Sequence, residues 1–201
     1  MDIYLLQGIY TPNIPARQAE IEFCIMRNSD NALIKKYLHL QGRVSYNEAF
    51  LLTRMRASMT LKKNIYILAN ADIYFDDTLA LVQAYAENNP ETVLDKVCFA
   101  LAPWDLKTDG SIEFCNQADR QDAWVFFDCV PHIPGADFFM GGQAGCDNKI
   151  AYLLEQCGYT VINPSLSVKA VHVHNSGLRT NTNVYFDRLQ PPYKLVTPCS
   201  I

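Results

Sequence analysis

The chain has 201 residues, of which 49% are hydrophobic and 19% charged, a composition typical of one globular domain that excludes a disordered or collagen-like chain. The net charge is −4, and the densest basic stretch, at 54–63, is interrupted by apolar residues, which argues against a nucleic-acid binder. Since no signal peptide and no apolar run of ~20 residues is present, we expect a cytoplasmic protein without a stable membrane anchor. Seven cysteines without a CxxC pair predict reduced thiols.

Strand-like and helix-like segments alternate along the chain. In order, the sequence predicts a strand at 2–6, a helix at 16–27, a weaker strand at 37–40, a helix from 45, a strand at 64–69, a helix at 76–86, strands at 97–102 and 123–127, a helix at 147–157, and strands at 159–162 and 168–173. Ser45 and Glu48 have the spacing of a capping box. The alternation predicts an α/β sandwich with a central, mostly parallel sheet flanked by helices.

A single domain accounts for the whole chain in this interpretation. The proline-containing stretch at about 187–201 is predicted to be a C-terminal tail or a linker to a further domain of a longer chain.

Polar residues follow the apolar strand predicted at 64–69. Asn70 and Asp72 are two positions apart, so an extended chain delivers both to the same side of the sheet edge. Open α/β sheets hold their ligands at this edge, and a carboxylate there suits a divalent cation tied to substrate phosphates. The alternative is that both residues only turn the chain and that Asp76 caps the next helix.

Two further segments carry candidate chemistry. His172 and His174 share one face of a predicted strand, a pattern that suits a metal such as Mn²⁺ or, alternatively, two structural hydrogen-bonding histidines. The glycine-containing loop at 141–145 leads into the helix at Asp147. That carboxylate either caps the helix or serves as a general base or sugar-hydroxyl acceptor.

Together these motifs resemble the GT-A glycosyltransferases. Asn70-Ala71-Asp72 is similar to the DxD motif of that family, and residues 145–174 are similar to its acidic helix start, helix, Gly-Tyr, strand, Asn-Pro and final His. More narrowly, the chain resembles the small glycosyltransferase domain that chloroviruses encode for their capsid glycans. Two positions depart from the pattern, because Asn70 replaces an aspartate and Cys146 replaces a glutamate.

The resemblance implies a GT-A (Rossmann-like) fold with a nucleotide-sugar donor, most simply a UDP-sugar, at the strand ends. It implies donor contacts from Gln7, Gly8, Tyr10, Arg56, Asn70, Ala71, Asp72 and Gly142. It also implies Mn²⁺ or Mg²⁺ held by Asp72 with His174 or His172, which would neutralise charge on the leaving UDP. Asp147 and Asp122 are the implied catalytic carboxylates, Asp147 as the base of an inverting transfer and Asp122 as a partner of a sugar hydroxyl. A retaining transfer would need no such base.

Four other side chains are secondary candidates. Trp104 and Trp124 either form a sugar-stacking platform or belong to the core. Lys169 and Arg179 are candidate phosphate contacts.

The expected function is therefore the metal-dependent transfer of a hexose, glucose- or rhamnose-like, from a UDP-sugar to a glycan acceptor such as a viral capsid glycoprotein. One alternative is a binding module without turnover, since Asn70 and Cys146 stand where carboxylates are expected. A sugar-nucleotide nucleotidyltransferase is the other alternative, although residues 8–12 lack the Gly-rich, basic loop that such enzymes carry.

Overall fold

The computed structural model describes residues 1–60, 62–89, 96–141, 143–177 and 188–201. Within these ranges the helices are α1 (Pro15–Ser29), α2 (Tyr46–Ala57), α3 (Ala80–Asn88) and α4 (Cys146–Gln156), with a short 3-10 helix at Asp77–Leu79. The strands are β1 (Ile3–Ile9), β2 (Ile34–Gln41), β3 (Ile65–Ala69), β4 (Ile73–Phe75), β5 (Val97–Leu101), β6 (Pro103–Leu106), β7 (Ile112–Phe114), β8 (Ala123–Phe126), β9 (Thr160–Ile162) and β10 (Ala170–His172).

The larger sheet has six strands in the order β2-β1-β3-β8-β5-β9 and is mixed. β1 pairs in parallel with β2 and β3, and β5 pairs in parallel with β9, but β8 runs antiparallel to both β3 and β5. The α/β class is confirmed, whereas the expectation of a mostly parallel sheet is wrong. After β5 the chain forms β6 and β7 beyond the carboxyl end of that strand. β8 then returns to the larger sheet from this same end, and it is therefore antiparallel to β5.

A second, four-stranded sheet in the order β4-β10-β6-β7 lies at the end of β3 and β5, and the sequence pattern did not predict it. β4, β6 and β7 are only three or four residues long. Such short segments show too few residues for alternation to be recognised. This sheet matters for the site because it carries β10, which ends at His172.

The core lies on both faces of the larger sheet. All five residues of β3 are buried, as predicted for a central strand. Ile67 belongs to the core cluster that includes Val82 of α3, and Leu68 belongs to the cluster that includes Phe50 of α2 and Ile150 of α4.

The starts of the helices follow the local sequence. The capping box of α2 is formed, with the Glu48 amide 3.2 Å from Ser45 Oγ and the Ser45 amide 2.6 Å from Glu48 Oε2. Asp76 caps the 3-10 helix before α3 by accepting from the Thr78 amide at 3.0 Å. These hydrogen bonds satisfy amides that a helix leaves without partners at its first turn.

Residues 188–201 lie along the body of the domain. The Val196 amide donates to the Ala118 carbonyl at 2.9 Å, and the Lys194 amide donates to the Asn148 carbonyl at 3.0 Å. Val196 is buried. The end of the chain is therefore packed onto the fold. The seven cysteines are free thiols, and no helix in the described ranges is long and apolar enough to cross a membrane.

Candidate functional site

A cavity of about 820 Å³ opens at the carboxyl ends of β1 and β3. From β1 the chain continues to β2 on one side and then crosses to β3 on the other side, so the strand order reverses between β1 and β3. Such a reversal separates the two connecting loops and leaves a crevice, where α/β proteins commonly bind ligands. Gly8 and Tyr10 line the cavity from the end of β1, and Asn70, Ala71 and Asp72 line it from the end of β3.

Asp72, His172 and His174 form a group that could hold a metal ion. Oδ2 of Asp72 lies 3.1 Å from Nε2 of His172 and 3.9 Å from Nδ1 of His174, and the three ligand atoms are all within 4.8 Å of one another. The two imidazoles stack with centroids 5.5 Å apart, because residues two apart in an extended chain share a face. The three residues predicted as metal ligands are thus brought together across 100 residues of sequence.

Arg17, which the sequence analysis missed, contacts the same carboxylate. Its Nη2 bonds to Oδ2 of Asp72, while Nη1 lies 2.9 Å from Glu20 Oε2 and 3.0 Å from the Val173 carbonyl. Burial alone would raise the pKa of Asp72, but the hydrogen bonds from His172 and His174 and the Arg17 charge hold it well below its usual value. Asp72 is therefore an ionised carboxylate. The available signal was a basic residue in the first turn of α1, where the helix dipole disfavours cations.

His172 contacts Asp105 of the neighbouring strand β6, and Arg120, through its other ring nitrogen. Nδ1 of His172 lies 2.8 Å from Oδ1 of Asp105 and 2.9 Å from Nη2 of Arg120. Burial lowers the pKa of His172, but its hydrogen bonds to Asp105 and Asp72 outweigh that effect and raise the pKa to about 10. The hydrogen bond from His172 has the largest effect on the pKa of Asp105. Burial raises that pKa, but the His172 and Arg120 contacts outweigh burial and lower the pKa to about 2.

Asp122 joins the end of β3 to this group. Its Oδ1 accepts a hydrogen bond of 2.9 Å from the Asn70 side-chain amide, and its Oδ2 lies 3.3 Å from Nε of Arg120. Asp122 precedes β8, and the antiparallel pairing of β8 with β3 places it beside Asn70. The position predicted for Asp122, on the edge that carries Asn70, is thus found, and its role remains a prediction.

Asp147 lines the cavity from the first turn of α4. It does not cap the helix, because Gly145, at φ +81°, occupies the cap position. Its Oδ1 accepts from the Cys146 thiol at 3.2 Å. Burial, followed by the charge of Asp122, raises the pKa of Asp147 to about 8. This carboxyl group binds a proton far more tightly than an exposed aspartate, as a general base near neutral pH requires.

Gln7 and Arg56, both predicted to contact the donor, do not line the cavity. Gln7 is fully buried, and its side-chain amide donates to the carbonyls of Asn70 and Ile73 at 2.6 and 2.9 Å, so it supports the backbone of the site from behind. Arg56 is in the last turn of α2, whose first turn is the end near the cavity. The intervening ten residues span about 15 Å at 1.5 Å per residue, too far for an arginine to reach back.

Arg43 is a basic residue that lines the cavity next to the ends of β1 and β2. Its guanidinium carbon lies 5.8 Å from the centroid of the Tyr10 ring. Arg43 follows β2, and only the parallel pairing of β1 with β2 brings the two strand ends together. Gly142 and Arg179, the other predicted contacts, lie outside the described residues.

The sugar-stacking platform predicted from Trp104 and Trp124 is not at the cavity. Trp124 is buried in the core against Tyr46. Trp104 donates its ring N–H to the Ser165 carbonyl at 2.9 Å and lies under the Lys169 ammonium, 5.2 Å from the ring centroid. None of these side chains lines the cavity.

Comparison with known proteins adds no family assignment: no protein-family model matches the chain, and no curated protein matches its sequence.

Proposed function

We propose that the chain is a metal-dependent glycosyltransferase of the GT-A type, which transfers a hexose from a UDP-sugar to a glycan acceptor. The observation that carries the proposal is the metal-capable group of Asp72, His172 and His174 on the wall of the 820 Å³ cavity. A crevice of this size suits a nucleotide-sized ligand. Its position at the reversal of strand order supports a Rossmann-like nucleotide site.

The donor atoms of this group fit a borderline divalent cation. One carboxylate and two imidazoles suit Mn²⁺ better than Mg²⁺, because Mg²⁺ prefers a shell of oxygen ligands. When bound, the cation supplies positive charge against the diphosphate, on which negative charge grows as the glycosidic bond breaks.

Basic side chains support a diphosphate at the same place. Arg17 and Arg120 lie beside the Asp72–His172 pair, and Arg43 stands at the side of the cavity formed by the ends of β1 and β2. Arginine suits phosphate because its planar guanidinium donates two parallel hydrogen bonds. Arg43 and Tyr10 together offer a charged and an aromatic surface for a nucleoside.

Asp147 is the base in the transfer that we propose. The acceptor hydroxyl gives its proton to the Asp147 carboxylate while its oxygen bonds to the anomeric carbon, and UDP leaves with the electrons of the broken bond. The raised pKa of Asp147 strengthens it for this role. Asp122, fixed by Asn70, is placed to accept a hydrogen bond from a hydroxyl of the donor sugar.

Thermal unfolding with UDP, GDP and CMP, each with and without Mn²⁺, tests the donor site. A ligand at about 100 times its dissociation constant stabilises the native state by about 2.7 kcal/mol. We expect UDP with Mn²⁺ to raise the melting temperature, His174→Ala to remove this shift and His132→Ala, at an exposed position, to keep it. Asp72→Ala is less informative because it removes one of the two carboxylates that the buried Arg17 contacts.

The other outcomes of the thermal-unfolding test would contradict different parts of the proposal. An equal UDP shift without Mn²⁺ would show that Arg17, Arg120 and the histidines bind phosphate without a metal. No shift with any nucleotide would overturn the donor assignment. Release of UDP from UDP-glucose in the presence of a glycan separates a transferase from a binding module, which leaves the donor intact.

A further inference from the structure

Two residues that the sequence did not single out, Asp105 and Arg120, contact the metal-capable group through His172. We propose that Asp105, held by Arg120, is a positioning residue that fixes His172 with its proton on Nδ1, so that Nε2 is presented to the metal. The inference deepens the proposed function and rests on its metal site.

Nε2 of His172 faces Asp72 of the metal-capable group, and Nδ1 faces away from Asp72. Nε2 is 3.1 Å from Oδ2 of Asp72, whereas Nδ1 is 2.8 Å from Oδ1 of Asp105. β10 and β6 pair in parallel with His172 directly opposite Asp105, so the backbone register sets this contact. A carboxylate on the remote nitrogen of a metal-binding histidine fixes the ring and its tautomer.

Arg120 holds the carboxylate that faces Nδ1 of His172. Its Nη2 lies 3.1 Å from Oδ1 and its Nη1 lies 3.3 Å from Oδ2 of Asp105, so the guanidinium holds both carboxylate oxygens. Nη2 is also 2.9 Å from Nδ1 of His172. Without a proton, Nδ1 could accept from Nη2 of Arg120, but its lone pair would also face the Asp105 carboxylate at 2.8 Å. A proton on Nδ1 turns that repulsion into a charge-assisted hydrogen bond to Asp105, and the shorter distance favours this state. Oδ1 of Asp105 then accepts from both His172 and Arg120.

The same arginine reaches the other half of the site. Nε of Arg120 lies 3.3 Å from Oδ2 of Asp122, whose Oδ1 is bonded to Asn70. Asp122 is in turn the carboxylate whose charge contributes to the raised pKa of Asp147. Arg120 therefore contacts both His172 of the metal-capable group and Asp122, the proposed partner of the donor sugar.

Mn²⁺ affinity, measured by electron paramagnetic resonance on the intact chain, tests the inference. We expect Asp105→Ala to weaken Mn²⁺ binding roughly 10- to 100-fold, the range for loss of such a carboxylate. Asp105→Asn should weaken it less, because its amide oxygen still accepts from Nδ1. Asp109→Ala is the matched control, since Asp109 is an exposed aspartate between β6 and β7 whose carboxylate accepts from Ser111 within its own turn.

The tautomer gives a second measurement that loss of stability would not produce. In ¹⁵N-histidine spectra with Zn²⁺, a diamagnetic substitute, the His172 signals of the wild type should show a protonated Nδ1 and a metal-bound Nε2. In Asp105→Ala the Nδ1 proton should no longer be fixed.

Unchanged Mn²⁺ affinity in Asp105→Ala, or metal bound through Nδ1 in the wild type, would overturn the positioning role while leaving the metal site intact. A wild-type chain that binds no Mn²⁺ would overturn the metal-dependent function itself, together with this inference.

Discussion

The side-chain amide of Asn70 donates a hydrogen bond of 2.9 Å to Oδ1 of Asp122. This contact explains why an amide can stand at the first position of the Asn70-Ala71-Asp72 motif. A carboxylate at position 70 would face the Asp122 carboxylate, and two like charges at that distance are strongly unfavourable. The Asp122 carboxylate therefore favours an amide over a carboxylate at position 70.

Asn70→Asp should lower the free energy of unfolding by roughly 1–3 kcal/mol, because a partly buried hydrogen bond is replaced by repulsion between carboxylates. Adding Asp122→Asn should restore part of this loss, since an amide again faces a carboxylate. Urea denaturation measures both. Asn116→Asp, at an exposed position, is the control, and an equal effect in Asn70→Asp and Asn116→Asp would contradict the explanation.

Gly141 is required for two separate reasons. Its φ is +66°, and a Cβ added there would lie 2.6 Å from Oδ1 of Asn70. Gly110 has φ +84° but no heavy atom within 4 Å of such a Cβ, so Gly110→Ala measures the backbone strain alone, about 1–2 kcal/mol. Gly141→Ala should cost more than Gly110→Ala in thermal or urea unfolding. Equal losses would show that the Asn70 side chain moves aside freely.

Asp147 should make stability depend on pH. Its pKa is raised from 3.8 to about 8 by burial and by the charge of Asp122, so the folded state holds the proton over a range in which the unfolded chain has lost it. The stabilisation of the protonated form is fully present below about pH 4 and is lost as the pH rises through about 8. Wild type should therefore lose stability relative to Asp147→Asn between these limits.

Urea midpoints of the two proteins, measured from about pH 5 to about pH 9, check this difference. Asp109→Asn is the control, because the pKa of Asp109 is lowered by its hydrogen bonds to Ser111 and its titration lies below that range. A constant difference between wild type and Asp147→Asn would show that the Asp147 carboxyl is ionised throughout.

We predict different effects on nucleotide binding for substitutions of Arg43 and Arg56. Arg43 lines the cavity and Arg56 does not. Arg43→Ala should weaken UDP binding in the presence of Mn²⁺ by roughly tenfold, the loss of one charged hydrogen bond, while Arg56→Ala should leave it unchanged. Isothermal titration calorimetry decides between them. Weaker binding in Arg56→Ala alone would contradict the placement of the nucleotide at the ends of β1 and β2.

The sequence by itself determined the local elements and the ends of the important strands. The alternation of apolar residues predicted most helices and strands, and Ser45, Glu48 and Asp76 marked the correct helix starts, because capping depends on residues within one turn. Asp72 was identified because a polar residue at the end of an apolar strand reaches the edge of a sheet, and His172 and His174 because residues two apart in a strand share one face. All of these signals are read within a few residues.

Only the tertiary structure decided which distant residues meet. Arg17 reaches Asp72 across 55 residues, and His172 reaches Asp105 across 67, through contacts that depend on how α1, β6 and β10 pack. The direction of β8, the second sheet and the distance of Arg56 from the cavity were likewise set by chain connectivity and strand pairing. A local pattern specifies the type of an element, but the free energy that pairs two strands and brings two charges together comes from contacts formed when the chain folds.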